Sequence, residues 1–431
     1  MKTKLHPRAL APSLKPSRVA LAAFSCTALA TTFIIGSAGA QTQVVKPPVA
    51  QYWMDVATVS MAGMDDMPSM GAMGGLIGGM TGLGSVSFGA TRGMMPGRWL
   101  DAAVVTQRKP AGTEATQSIP EGQRMGPSLT LLPVQAQPAR PRGERQSVDE
   151  IPERPKGRIL FYWGCGEAVR AGQPRVLDFS TAGAEDYGKF MMGRAVRDQG
   201  AKAEPGHAIW PNEKHRQSVP KDASLTGQHA LSGEGLPASL KFSISQQQDF
   251  MPALGLNGNG GGANPTALSW QALPTASAYF LSAMSGSEGE MVIWSSSEVQ
   301  EPGWGLMDYA SNANVDKWLK DKVLLPSSQT QCAIPAGVFA KAKGAVVRGI
   351  AYGQELNLTH PPRPTDRRTP WEPEWAARVR VKSVAMLPLG EDGPMTTRAQ
   401  EEKSKSPDSA GAPGIPGIPG LGRALKGLFG N

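Results

Sequence analysis

The sequence predicts a mainly β protein: two β-sandwich-like domains with long low-complexity loops and a disordered C-terminal tail. Three observations predict it. Gly and Pro number 51 and 37 among 431 residues, about a fifth of the chain against roughly 12% in average usage, and both disfavour helix interiors. Short runs of β-branched and aromatic residues recur at near-regular spacing between Gly/Pro/Ser clusters, as sandwich strands do. Hydrophobic residues still supply 40% of the chain, with 10 Trp, too much apolar surface for a wholly unfolded polypeptide.

Residues 1–40 read as a signal peptide. Lys2, Lys4, Arg8, Lys15 and Arg18 precede the uncharged run Val19–Ile35, and Ala38 and Ala40 fit an A-x-A cleavage site before Gln41. An uncleaved anchor over Val19–Ala40 is the alternative. Cys26 lies inside the apolar run after Ala23-Phe24-Ser25, a poor match to a lipoprotein site. The expected location is therefore outside the cytoplasm, periplasmic or extracellular, in association with the envelope. The formal charge of +8 falls to 39 basic against 36 acidic residues once the leader is set aside. No basic run follows, so no nucleic-acid partner is expected.

Residues 41–256 read as an N-terminal β-rich domain. Strands are predicted over Gln51–Val59, Arg98–Val105, Ser128–Leu132, Arg158–Trp163 and Leu240–Ser245. Arg158–Trp163, the most apolar, is placed centrally. A Met/Gly-rich insertion over 60–97 and a Pro/charged loop over 134–156 interrupt them. Asn257–Asn264 reads as a linker. A second β-sandwich follows over 265–390, with strands at Ala267–Trp270, Ala278–Met284, Met291–Trp294, Gln331–Ile334, Val346–Tyr352 and Ala377–Met386, and one helix over Asn314–Lys322. Residues 391–431 form the tail. Its Gly411–Gly420 stretch suits a polyproline II spacer, and the basic amphipathic end Leu421–Phe429 reads as frayed, with peripheral membrane contact as the alternative.

Leu268-Ser269-Trp270 and Ala276–Tyr279 resemble the second and third strands of fibronectin type III and immunoglobulin-like modules. Ile350-Ala351-Tyr352 stands where a later Tyr-bearing strand would fall. The resemblance spans Pro265–Leu389 and implies a scaffold or binding module rather than an activity.

Candidate sites are sparse. Met61, Met64, Met67, Met70 and Met73 recur every third residue. Soft thioethers at this spacing suit Cu(I), but no His or Cys stands nearby, Asp65 and Asp66 are hard ligands, and apolar filler is the preferred reading. The rows Gly71/Gly75/Gly79 and Gly74/Gly78/Gly82 read as a mobile loop rather than a membrane helix. Gly183–Lys189 mimics a phosphate loop, yet Phe190 replaces the hydroxyl that would hold Mg²⁺. His207, His215 and His229 match no ligand spacing and read as solvated loop residues.

Trp371-Glu372-Pro373-Glu374-Trp375 places both indoles on one side of an extended chain. That makes Trp371 and Trp375 candidates for stacking on sugar rings, although a Pro-braced lead-in to the next strand is preferred. Cys165 and Cys332, an even pair in an exported chain, are candidates for a disulfide or for two buried small hydrophobes. Asn357-Leu358-Thr359 is a glycosylation sequon. No catalytic residue and no cofactor are expected. The sequence favours an exported, non-catalytic, envelope-associated scaffold or binding protein, with an unidentified envelope protein or glycan as partner and the oligomeric state left open. The alternatives are a Met-rich copper-handling protein and a secreted carbohydrate-binding or carbohydrate-active protein.

Overall fold

The computed structural model describes residues 43–62, 86–135, 157–196, 199–287, 289–342, 344–366, 368–390 and 393–394. The leader, Met64–Met73, nearly all of the 134–156 loop and the tail beyond 394 lie outside the described residues.

The frame is set by β1 (Ala50–Met61) and β18 (Trp375–Gly390). Both are rich in β-branched and aromatic residues, and they pair in parallel from Ala50↔Trp375 to Met61↔Met386. β2 (Gly97–Thr106) runs antiparallel along the other edge of β1. Around them extends a mixed sheet of 16 strands among the described residues. One wing continues from β18 through β16 (Ala345–Gly353), β12 (Ala276–Ser287), β13 (Glu290–Ser295) and β5 (Arg158–Trp163) to β6 (Arg175–Asp178). The other continues from β2 through β7 (Ala208–Trp210), β4 (Ser128–Pro133), β3 (Ala115–Ser118) and β8 (Gly227–Gly233) to β9 (Lys241–Ile244). β14 (Leu325–Pro326) flanks β12, while β17 (Leu356–His360) and β19 (Gly393–Pro394) flank β18. β10 (Asn257–Gly260), β11 (Thr266–Ser269) and β15 (Gln331–Ile334) form a separate three-stranded sheet.

Alternation divides the central strands into two faces. On the first, Tyr52, Met54 and Val56 join Leu100, Ala102, Val104, Val379 and Val381 in the main core. β3, β8 and β9 close over one end. The Tyr52 hydroxyl donates to Gln117 Oε1 at 2.9 Å, and its ring lies 5.4 Å from that of Phe242. At the other end the small sheet packs down, with Trp270 against Tyr279 at 5.4 Å. Between them runs the 250–256 segment, pinned where Thr58 Oγ1 donates to the Met251 carbonyl (2.7 Å) and Ser383 Oγ to that of Pro252 (2.8 Å).

The second face carries two helices. α1 (Ala184–Met191) sets Phe190 on Phe161, and α2 (Asn312–Lys320) sets Val315 and Trp318 on Phe280 and Ile350. Ser311 caps α2 by accepting from the Asn314 amide. Cys165 and Cys332 are joined by a disulfide, with Cα atoms 5.0 Å apart and 167 residues between them in sequence. A loop of that length makes the link worth roughly 5 kcal/mol in the chain-entropy account.

The mainly β class holds, but the two-domain division does not. β1 and β2 precede residue 257 and sit beside β18 and β16, which follow it; β5 likewise pairs in parallel with β13. All of this lies in one compact unit that begins at Gln43. The expected linker is itself structural. Asn257–Gly260 pairs with Thr266–Ser269, and Gly260 to Gly262 turn the chain with positive φ, a conformation that favours glycine. Arg158–Trp163 lies one strand from the edge rather than at the centre. The predicted helix starts at Asn312 and ends at Lys320. Within the 60–97 insertion, Met61 ends β1 and Ala90–Arg92 forms a 3₁₀ turn, while residues 63–85 lie outside the described residues.

Candidate functional site

Charged side chains and one indole gather on the second face of β1, β2 and β18, where alternation aims Trp53, Asp55, Asp101, Arg378, Arg380 and Lys382 away from the main core. Register brings the charges together, since Asp55 pairs with Arg380 across β1–β18 and with Asp101 across β1–β2. Arg380 grips Asp55 with two parallel bonds, Nε to Oδ1 at 2.7 Å and Nη2 to Oδ2 at 2.6 Å. The Ala201 amide donates to the same carboxylate at 3.2 Å. Gly200 lets this strap lie flat, because a Cβ there would stand 1.5 Å from the guanidinium. Tyr309 covers the cations, its ring centroid 4.4 Å from Arg380 Cζ and 4.2 Å from Lys382 Nζ. Lys382 donates to Asp308 at 2.8 Å, and Arg92 reaches Asp308 at 3.3 Å and Asp55 at 3.9 Å. Asp101 accepts from the Gly89 amide at 3.0 Å and from the Thr91 hydroxyl.

Burial and ion pairing compete over the protonation of this cluster. Burial pushes the Asp101 carboxyl up to about 6, against the opposing hydrogen bonds from Thr91 and Gly89. It raises Tyr309 well above the usual phenol range, with the Asp55 charge adding to the effect. Burial also lowers the Lys382 ammonium, although Asp308 pulls it back. For Arg380 burial acts downward, but the bonds and charge of Asp55 win and hold the guanidinium protonated. Burial would raise Asp308, yet Lys382, the Tyr309 amide and Arg92 carry it below the ordinary carboxylate range. Asp55, Asp101, Arg380 and Lys382 are all buried.

Two hollows flank the cluster. A cavity of about 260 Å³ lies against Tyr309, Arg380, Ser311 and Glu355. A larger cleft of about 660 Å³ opens between β1, β18 and β17 and the overlying 199–207 segment. Trp53 and His207 form one wall, with ring centroids 5.6 Å apart. His207 Nδ1 is buried without a hydrogen-bond partner among the described residues. Arg378 braces the opposite side. Its Nε donates to Asn357 Oδ1 (2.8 Å), its Nη1 to Gln199 Oε1 (2.9 Å), and it lies 3.7 Å from the Glu355 carboxylate. Lys202 pairs with Glu204 at 3.5 Å.

The structure redistributes the residues singled out from sequence. Trp375 is only 5% exposed and belongs to the main core, its Nε1 donating to the Ser239 carbonyl at 2.9 Å. Trp371 stands before the strand and is held separately, donating to the Pro361 carbonyl at 3.1 Å beneath the Arg363 guanidinium. The two indoles therefore form no shared open face. A backbone bend at Glu374 breaks the extended geometry that would have aligned them. Of the Met series, Met61 ends β1 and the other four lie outside the described residues. Among the described residues no group of three or more His, Cys, Asp or Glu is set to hold a metal.

The three histidines separate. His215 is exposed, His207 lines the cleft, and His229, expected in solvent, is fully buried in β8. Its Nε2 lies 2.8 Å from the Leu225 carbonyl and so carries the proton, leaving Nδ1 to accept from Gln117 at 3.2 Å. Burial lowers its pKa. Trp53 and the Asp55–Arg380 pair were missed. The signal for Trp53 was present, since Gln51, Trp53 and Asp55 alternate with Tyr52, Met54 and Val56 and so define a polar face.

Comparison with protein-family models, curated proteins and solved structures gives no match. Among the described residues no helix is long and apolar enough to cross a membrane.

Proposed function

We propose that this chain is an exported, non-catalytic, envelope-associated binding protein whose ligand site is the cleft between Trp53, His207 and Arg378. The observation that carries the reading is the contrast between that open cleft and the acids beside it. Three carboxylates from distant segments converge at Asp55, Asp101 and Asp308, as an active site would require. Each is engaged by Arg380, by Thr91 and Gly89, or by Lys382, and Asp55 and Asp101 are 1% and 2% exposed. An acid that transfers protons must reach its substrate. The cleft itself is lined by one carboxylate, Glu204, paired with Lys202. Export is supported by the leader pattern and by the Cys165–Cys332 bond, which suits an oxidising compartment.

Site-specific photocrosslinking in cells tests this reading. A photoreactive residue at Lys202, on the cleft, is expected to give a discrete adduct that the same residue at Gln228, exposed on β8, does not. Equal labelling at both positions, or none at either, overturns it.

A further inference from the structure

We infer that the cleft takes an uncharged oligosaccharide segment, with Trp53 as its stacking platform; this rests on the cleft being the ligand site. Three features lead to that class. First, the lining is aromatic and amide-rich: Trp53 beside His207, with Gln51, Gln199 and Asn357 around them. Pyranose rings offer apolar C–H faces that lie on an indole and rim hydroxyls that exchange hydrogen bonds with side-chain amides.

Second, the charges are already matched. Arg378 contacts Glu355, Asn357 and Gln199, and Lys202 contacts Glu204. An anionic or cationic ligand would have to displace these partners, at a cost that a neutral ligand avoids. Third, Trp53 is only half-buried, which leaves part of its side chain on the cleft wall. The volume of about 660 Å³ falls within the roughly 300–1,000 Å³ typical of small-ligand sites.

Titration calorimetry of the full-length mature protein with cellohexaose and chitohexaose, with polygalacturonate as the charged comparator, tests the assignment. At least one neutral hexasaccharide is expected to bind. Its affinity should change less than about twofold when salt rises from about 0.1 M to about 1 M, since screening acts on charge. Trp53→Ala should weaken it about tenfold or more, as loss of a central aromatic anchor does. Trp53→Phe, which keeps a ring in the strand, should lose less, and the thermal transition of each variant separates lost binding from lost folding. Trp371→Ala should leave binding unchanged. The inference is overturned if neither neutral sugar binds, if only polygalacturonate binds, or if Trp53→Ala folds and binds as before. A discrete Lys202 adduct together with no sugar binding would retain the cleft and reject the glycan. Absence of both would reject both.

Discussion

Arg378 and Arg380 stand two residues apart on β18 and face the same side of the sheet, yet they live in different media. The Arg380 side chain is 4% exposed and locked onto Asp55, whereas that of Arg378 is 29% exposed and braces the rim of the cleft. Strand chemistry does not distinguish them. What differs is cover: the Gln199–Ala201 strap passes over Arg380 at Gly200 and meets Arg378 only at Gln199. The same row of cations thus supplies rigidity at one point and a solvent-facing surface at the next.

The largest effect that would break this contrast is expected from Asp55→Ala. It leaves Arg380 charged and unpaired beneath Tyr309, and such losses cost about 3–5 kcal/mol. Urea unfolding should show it directly. Replacing both partners by Met should recover most of that loss, because two buried charges and their desolvation are removed together. A single variant as stable as the parent would mean that the pair is not sealed.

The next effect follows from Asp101. Its folded pKa of about 6 lies above the ordinary 3.8, so the native state holds a proton that the unfolded chain releases between these values. Stability should therefore fall as pH rises from about 4 to about 6, then level off. Relative to Asp101→Asn the fall should be about 2–3 kcal/mol, read from urea midpoints across that window. A gap between the two proteins that does not change with pH would place Asp101 in a polar setting instead. The smallest effect is expected from Arg378→Ala, about 1 kcal/mol or less, as for other partly exposed ion pairs. If it costs as much as Asp55→Ala, the two arginines are not in different surroundings and the contrast fails.

Sequence reading reached the strands because β-branched and aromatic residues gather in them. Gln51–Val59, Arg98–Val105 and Ala377–Met386 each lie within an observed strand. It missed α1, where Gly188 and three charged residues hide a helix that packs through Phe190. It also missed β10, because a strand of Asn and Gly has no side-chain pattern and is made by backbone hydrogen bonds alone. The candidate site was legible only in fragments. The polar face of β1 could be read, but Asp55 and Arg380 lie 325 residues apart, and no local rule joins them. Even parity suggested Cys165–Cys332, which the structure pairs. For Trp371 and Trp375 the preferred reading of a Pro-braced lead-in agrees with the structure, in which Trp375 packs into the core at the start of β18 and Trp371 stands before the bend at Glu374.

The partnership of β1 with β18 also has a temporal meaning. Synthesis delivers the amino-terminal half of this pair hundreds of residues before the half that completes it, and in the finished sheet the two run side by side for twelve residues. Vectorial emergence therefore gives the early strand nothing native to hold on one edge, and contacts so distant along the chain favour slow, late closure. The pairing at the centre of the sheet cannot form until β18 has been made, more than 300 residues after β1.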